Sequence, residues 1–414
     1  MLDPDDTRQE DLRAGHAPWH RGLDLRRGQL AEDRRCDVLV VGGGITGALV
    51  AQHLVGRGHD VCVIDREEPG LGSTAASTAM LLWEIDQPLA KLAEIYGFER
   101  AAGIYRHSLA AVAGLRGLVE RLALQVGFRS RNSLYLSSDT THAADLLAEH
   151  GLRRRAGLPG HFLDYRTLQH TFGFDREAAI LSAGAADADP LMLARAVLHD
   201  AVRRGAILLN AEAKSYDSSR SGAVVGMANG HVIEAGHVVL ATGYVLPAIV
   251  NAPLHRAGST WAIATGQQSA QNLWPDGVLV WEARENYLYA RTTVDRRIVI
   301  GGEDEADITE PDQRDALTVA KARALQSRLA QLVPSADASR AFAWSGTFGR
   351  TADGLPLIGP VPGHPRILAA YGYGGNGITF SYLASRMIGR LVKGDRQPWF
   401  DDFAIDRTLP NIAT

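Results

Sequence analysis

The chain has almost no sulfur to work with. Two cysteines, Cys36 and Cys62, occur in 414 residues, without CxxC spacing. This excludes a disulfide scaffold and a cysteine-rich zinc module; buried, reduced thiols in a cytoplasmic protein are expected, with a redox pair as the alternative. Lysine is nearly as scarce: Lys91, Lys214, Lys321 and Lys393 are the only four, and arginine supplies the other positive charges. With 43 basic against 47 acidic residues the formal charge is −4, which leaves no basic footprint for nucleic acid. No run approaches the ~18 consecutive apolar residues of a membrane span. The start, Met1-Leu2-Asp3-Pro4-Asp5-Asp6, is acidic with no apolar run behind it, unlike a secretory signal. The 14 histidines show no H-x-x-x-H spacing on one helix face, so no metal is expected. No GxSxG nucleophile motif is present.

What is present is ordinary globular composition, 46% hydrophobic and 22% charged, in a chain long enough for two compact lobes. Residues 1–35 are polar and read as a lead-in that wraps the surface. Val38-Leu39-Val40-Val41 then forms a short apolar run typical of a fully buried parallel strand. Ala48, Leu49, Ala51, Leu54 and Val55 suit a helix packed on a sheet, closed by Gly56 and Gly58. Val61-Cys62-Val63-Ile64 is a second buried strand, ending at Asp65; together these make a βαβ unit. Further on, helices are expected over 87–124, from Pro190 to Gly205 and over 313–332. A strand is expected at Ser133–Ser138, with others at Ile207-Leu208-Leu209 and Val238-Val239-Leu240. Residues 278–302 read as a meander of Val278–Trp281, Tyr287–Tyr289 and Ile298–Ile300.

Between the first strand and helix stands Gly42-Gly43-Gly44-Ile45-Thr46-Gly47, a G-x-G-x-x-G pattern. One glycine permits the turn, the second lets backbone approach a pyrophosphate, and the third allows close helix–strand packing. The helix start offers free N–H groups to phosphates. Asp65, eighteen residues after Gly47, can accept hydrogen bonds from a ribose diol and would repel a 2′-phosphate. Arg66 beside it, and Ala213 after the strand at 207–209, are further cofactor candidates.

Here the sequence resembles the D-amino-acid oxidase and glycine oxidase-like flavoproteins, over residues 36 to 395. Gly72-Ser73-Thr74-Ala75-Ala76-Ser77-Thr78 resembles the family's Ser-rich loop beside pyrophosphate and flavin. Its Gly72, Ser73, Thr74, Ser77 and Thr78 are cofactor candidates, though hydroxyls there could equally cap a helix. Ala241-Thr242-Gly243 is similar to its strand-end signature. Thr351-Ala352-Asp353-Gly354-Leu355-Pro356-Leu357-Ile358-Gly359 is similar to its T-x-D-G-x-P-x-I-G segment. Gly374-Gly375-Asn376-Gly377-Ile378-Thr379, after Tyr373, resembles the turn before its last helix, whose start would face the flavin pyrimidine.

The resemblance implies an α/β fold: an FAD-binding Rossmann-like domain (36–86, 185–255, 340–395) interleaved with a smaller antiparallel-sheet substrate domain (87–184, 256–339). It implies oxidation of a C–N bond in an amine or amino-acid derivative, by hydride transfer to flavin, with oxygen or another acceptor closing the cycle. The linkage cysteine of some relatives is missing from Trp344–Arg350, so FAD is expected to be non-covalent. The family's carboxylate-clamping arginine falls on Phe348, and a second family arginine on Gly375. No catalytic residue is assigned; Phe348, Arg350, Arg291, Tyr289 and Glu84 are the pocket candidates, with a structural ion pair or solvated face an equal alternative for Arg350 and Arg291. Glu84 and Asp86 could bind a cationic amine, but capping of the helix from Gln87 is the favoured reading. Two other classes stay open. An accessory flavoprotein subunit would show an exposed apolar patch, and an NAD-linked dehydrogenase would leave the Ser-rich loop and last glycine turn unexplained.

Overall fold

The structure is a computed structural model that describes residues 12–20 and 22–409. The expected strand at 38–41 is the C-terminal half of Arg34–Val41, which runs parallel to Val61–Asp65 on one side and Val232–Leu240 on the other. Val38, Val40, Val61 and Val63 pack into one core, while Leu39, Val41, Cys62 and Ile64 pack into another. Strict alternation with both faces covered explains why the sequence reads as a continuous apolar run. The full nine-stranded sheet has the order Ala213–Ser218, Ala223–Met227, Val232–Leu240, Arg34–Val41, Val61–Asp65, Ile207–Asn210, Gly28–Gln29. His364–Tyr371 joins the far end of Val232–Leu240 and carries Leu357–Val361. The helices Ile45–Val55, Pro190–Arg203 and Gly377–Val392 contribute to the core on one face of the sheet. Asp189 accepts from Leu191 N and Met192 N, fixing the start of the second helix ahead of Pro190.

The second sheet has ten strands and is mostly antiparallel. Its path runs Arg13–His16, Arg340–Thr351, His255–Thr265, Ile298–Glu305, Tyr289–Thr292, Leu279–Glu282, Arg129–Leu136, Ala178–Asp187, Met80–Leu81. The expected meander is there, with its middle strand displaced to Tyr289–Thr292. The helix expected over 87–124 is two helices, Leu89–Tyr96 and Phe98–Arg121, broken where Gly97 takes φ 81.

The lead-in differs from expectation. Residues 1–11 and 21 lie outside the described residues, but Arg13–His16 and Gly28–Gln29 each add an edge strand to one of the sheets. Edge pairing uses backbone groups alone, so a polar sequence does not forbid it.

Candidate cofactor and substrate site

The glycine turn is held from three sides. Gly42 N donates to Ile64 O at 2.8 Å, and Gly42 has φ 106. A Cβ on Gly42 would run into the Ala241 carbonyl oxygen, and one on Gly47 into the carbonyl oxygen of Gly42. A Cβ on Gly44 meets only Thr74 Oγ1, at 3.2 Å. The Asp65 carboxylate accepts from Gly43 N at 2.7 Å and from Glu67 N at 2.9 Å. Burial pushes its pKa above the usual carboxylate value, with those two amides, Arg27 and Arg66 opposing. The Ser-rich segment forms the short helix Ser73–Ala76, and Thr74 Oγ1 accepts from Ile45 N at 3.1 Å. The helix Ile45–Val55 has no acid in its own first turn; Thr74 Oγ1 and, one residue before the N-cap, the Asp65 carboxylate meet its positive end.

Beside this turn lies a cavity of about 680 Å³. The nine-stranded side of its wall includes Gly42, Gly44, Ile45, Thr46, Asp65 and Arg66, then Ala213, Ala241, Thr242 and Gly243. Gly72, Ser73, Thr74, Ser77 and Thr78 continue the wall, and Gly374, Gly375, Gly377 and Ile378 line it from the last glycine turn. The ten-stranded sheet contributes Thr260, Tyr289, Asp304 and Phe348, with Tyr287 from the loop before it. Ser73 Oγ and Thr242 Oγ1 are buried there without a hydrogen-bond partner. Two unmet hydroxyls, a turn that closes on backbone at Gly42 and Gly47, and a helix start beside the cavity suit the diphosphate of a dinucleotide; Asp65 stands where a ribose would reach. FAD therefore fits the residues present.

Other expected residues do not reach the wall. Gly43 and Gly47 are not among its residues. Asn376 Nδ2 donates to Leu82 O and Glu84 O, and Thr379 Oγ1 to Leu82 O, tying the last helix to the segment before residue 87. Arg291 is buried with its guanidinium on Thr78 O at 2.6 Å and Ala188 O at 2.9 Å, with Asp187 at 3.5 Å. Burial lowers its pKa to about 10. Glu84 is interior, accepting from Ser133 Oγ with Arg153 at 3.9 Å. Neither Glu84 nor Asp86 caps the next helix; Glu149 does, accepting from Leu89 N and Ala90 N. Asp353 of the T-x-D-G segment is likewise structural. It forms a two-bonded ion pair with Arg407 at 2.8 Å and accepts from Tyr96 Oη at 2.6 Å.

Asp86 has a different task. Its Oδ2 accepts from Gly375 N at 2.7 Å and its Oδ1 from Tyr287 Oη at 3.2 Å. A Cβ on Gly375 would lie 2.5 Å from Tyr287 Oη and 2.8 Å from Asp86 Oδ1. The space that an arginine at position 375 would enter is thus filled by a phenol and a carboxylate. Phe348 is on the wall; Arg350 is not, although it is near enough to act on Asp86 and Asp304. Tyr287, Thr260 and Asp304 were missed from sequence. The one visible signal was Gly301-Gly302 ahead of an acidic run, which marks an irregular strand end.

Together these features define a dinucleotide-dependent oxidoreductase. The chain belongs to the DAO family, described as FAD dependent oxidoreductase, whose model matches residues 37–391. It is a flavoenzyme of the amine- and amino-acid-oxidising class, and the resemblance to glycine oxidase-like proteins holds. It is similar to gamma-glutamylputrescine oxidoreductase of Escherichia coli (strain K12), 28% identical with 91% of this chain and 87% of the relative covered. It is also similar to glycine oxidase of Geobacillus kaustophilus (strain HTA426), 26% identical with 92% and 99% covered. In fold it matches L-proline dehydrogenase from P. horikoshii at TM-score 0.75 and 19% identity, covering 91% of this chain and 98% of that one. Among the described residues, no helix is long and apolar enough to cross a membrane.

Proposed function

We propose that this flavoenzyme oxidises amines, N-substituted amines or larger amino-acid derivatives in preference to small α-amino acids. A small amino acid needs its carboxylate neutralised in a largely dry pocket, most effectively by a bidentate arginine. The observation that carries the reading is the substrate end of the cavity: Tyr287 and Asp86 fill the space beside Gly375, and Phe348 presents an apolar ring. The polyamine-derived name of the Escherichia coli relative supports the same substrate class.

Bound FAD supplies the two-electron acceptor. The chain's own residues hold the amine against it, exclude water and place fixed charges. The wall residues of the nine-stranded side, of the Ser-rich segment and of the last glycine turn are the proposed cofactor contacts, with Asp65 on the ribose and Ser73 and Thr242 on phosphate. The proposed division assigns 36–86, 185–255 and 340–395 to FAD, and 87–184 and 256–339 to substrate; the glycine turn and Asp65 in the first set, and Tyr287 and Asp304 in the second, support it, whereas the strand Arg340–Thr351 pairs within the ten-stranded sheet and moves the last boundary to after Thr351. Further parts of the reading are non-covalent FAD, supported by the cysteine-free strand Arg340–Thr351, and oxygen or another acceptor as oxidant. A cytoplasmic location is supported by two unpaired cysteines, and independence from nucleic acid by the net charge of −4.

Anaerobic titration of the yellow protein with amines and amino acids tests the reading, with bleaching of the flavin as signal. Amines should bleach it, and glycine and D-alanine should lag.

A further inference from the structure

Asp304 stands apart from the carboxylates on either side of it. Glu303 pairs with Arg328 at 3.0 Å and Glu305 with Lys321 at 2.5 Å, both cations belonging to the helix Pro311–Leu332. Asp304 has no ion pair of this kind among the described residues; its Oδ1 is buried with no hydrogen-bond partner, and the residue lines the cavity. The backbone produces this difference. Ser259 pairs with Glu305 and Trp261 with Gly302, so Glu303 and Asp304 together stand opposite the single residue Thr260. Glu303 takes φ 60 directly after Gly302 at φ 137, a conformation that non-glycine residues rarely adopt. A bulge of this form redirects a side chain out of the regular alternation, and here the redirected side chain is a carboxylate.

Asp304 is surrounded by groups from several elements. Asp86 comes from the segment before the helix Leu89–Tyr96, Arg350 from the strand Arg340–Thr351, and Lys321 from the helix behind. Tyr287 and Tyr289 complete the surround, and burial keeps both phenols protonated. Lys321 is committed to Glu303 and Glu305. Asp86, whose own pKa burial raises, and Arg350 lie behind the wall, so Asp304 is the carboxylate that reaches the cavity at this end.

We propose that Asp304 binds the ammonium group of the substrate and accepts one of its protons; the inference rests on the amine-oxidising reading. In this step one N–H bond of the ammonium breaks and its electron pair stays on nitrogen. The proton forms an O–H bond on the Asp304 carboxylate, and no oxidant or reductant is consumed. The amine is then neutral, the form from which hydride can leave. Burial pushes the Asp304 pKa up to about 6, with Asp86 adding to the rise and the Thr260 hydroxyl, Arg350 and Lys321 opposing it. The group is thus ionised at neutral pH, yet a better proton acceptor than a carboxylate of ordinary pKa near ~4.

The test uses the FAD-loaded protein and tert-butylamine, which has no hydrogen on the carbon bearing nitrogen and so is not oxidised. Binding is read from the perturbed flavin spectrum, with tert-butanol as the neutral control of the same shape. Asp304→Asn should weaken amine binding by roughly tenfold or more while leaving FAD content and tert-butanol binding unchanged. In the unsubstituted protein, amine binding should weaken on acidification through the Asp304 pKa of about 6, a result available even if the variant does not fold. Equal amine affinity in both proteins, or binding that is flat across that pH range, overturns the proposal. If D304N loses tert-butylamine while no amine bleaches the parent flavin, the cation site stands and the oxidation reading falls. If amines bleach the parent and D304N equally, the oxidation reading stands and the role of Asp304 falls.

Discussion

Replacing Gly375 by alanine is a sharp perturbation of the substrate end. Its Cβ would sit 2.5 Å from Tyr287 Oη and 2.8 Å from Asp86 Oδ1, both well inside contact distance. Gly375 is not among the residues at positive φ, so the substitution carries no backbone penalty of its own. The cost falls on the Tyr287–Asp86 hydrogen bond, 3.2 Å long, which must open. A hydrogen bond to a charged group is worth about 1.5–3 kcal/mol, and Gly375→Ala should lose that amount. Tyr287→Phe removes the nearer clashing atom along with the bond. The 2.8 Å approach to Asp86 Oδ1 remains in that background, so Gly375→Ala should still cost something there, but less than in the parent. Urea unfolding of the four proteins of the cycle, each saturated with FAD, measures the coupling. A Gly375→Ala protein as stable as the parent, or one destabilised equally in both backgrounds, would refute the claim that Tyr287 and Asp86 occupy this space.

Four further outcomes concern the cofactor. Gly44→Val should fold, since its Cβ meets only Thr74 Oγ1, yet lose FAD because the side chain enters the cavity; Gly47→Ala should damage the turn itself, its Cβ falling on the Gly42 carbonyl. Co-purified FAD in either protein at parental stoichiometry counts against this division of roles. Asp65→Ala should weaken FAD binding by roughly tenfold or more, from lost ribose bonds at about 1.5–3 kcal/mol each. Apoprotein stability at neutral pH should change less. The Asp65 pKa is raised by burial, so its folded carboxyl prefers the proton and its ionisation takes stability away as pH rises through the raised pKa. Equilibrium FAD titration and apoprotein melting separate the two effects. Acid or heat should release all the flavin, as no cysteine lies in the strand Arg340–Thr351; flavin retained on the washed, denatured chain would contradict this.

The βαβ unit was legible because Val38 to Val41 and Val61 to Ile64 are buried on both faces, and because each glycine of the turn answers a local steric demand. Asp65 was legible from spacing, although its hold on Gly43 N was not. The pocket was less so. Arg291 was open between a substrate arginine and a structural one because the two are the same letter; only its bonds to Thr78 O and Ala188 O separate them. The T-x-D-G segment resembles a cofactor signature, yet Asp353 serves the ion pair with Arg407, some fifty residues on in sequence and beyond any local pattern. Asp304 was hidden for another reason. Three consecutive acids carry no sign in sequence of which one faces inward, and the bulge that turns the middle one inward depends on pairing with His255–Thr265, a strand whose small residues give no strong period.

The most direct measurement is the anaerobic rate of flavin bleaching by a panel of primary and N-substituted amines, set beside glycine and D-alanine. With Phe348 on the wall and Tyr287 and Asp86 beside Gly375, several amines should bleach the flavin faster than either amino acid. Glycine or D-alanine outpacing every amine, with that activity lost in Arg350→Ala, would show that Arg350 clamps a carboxylate and would contradict the account.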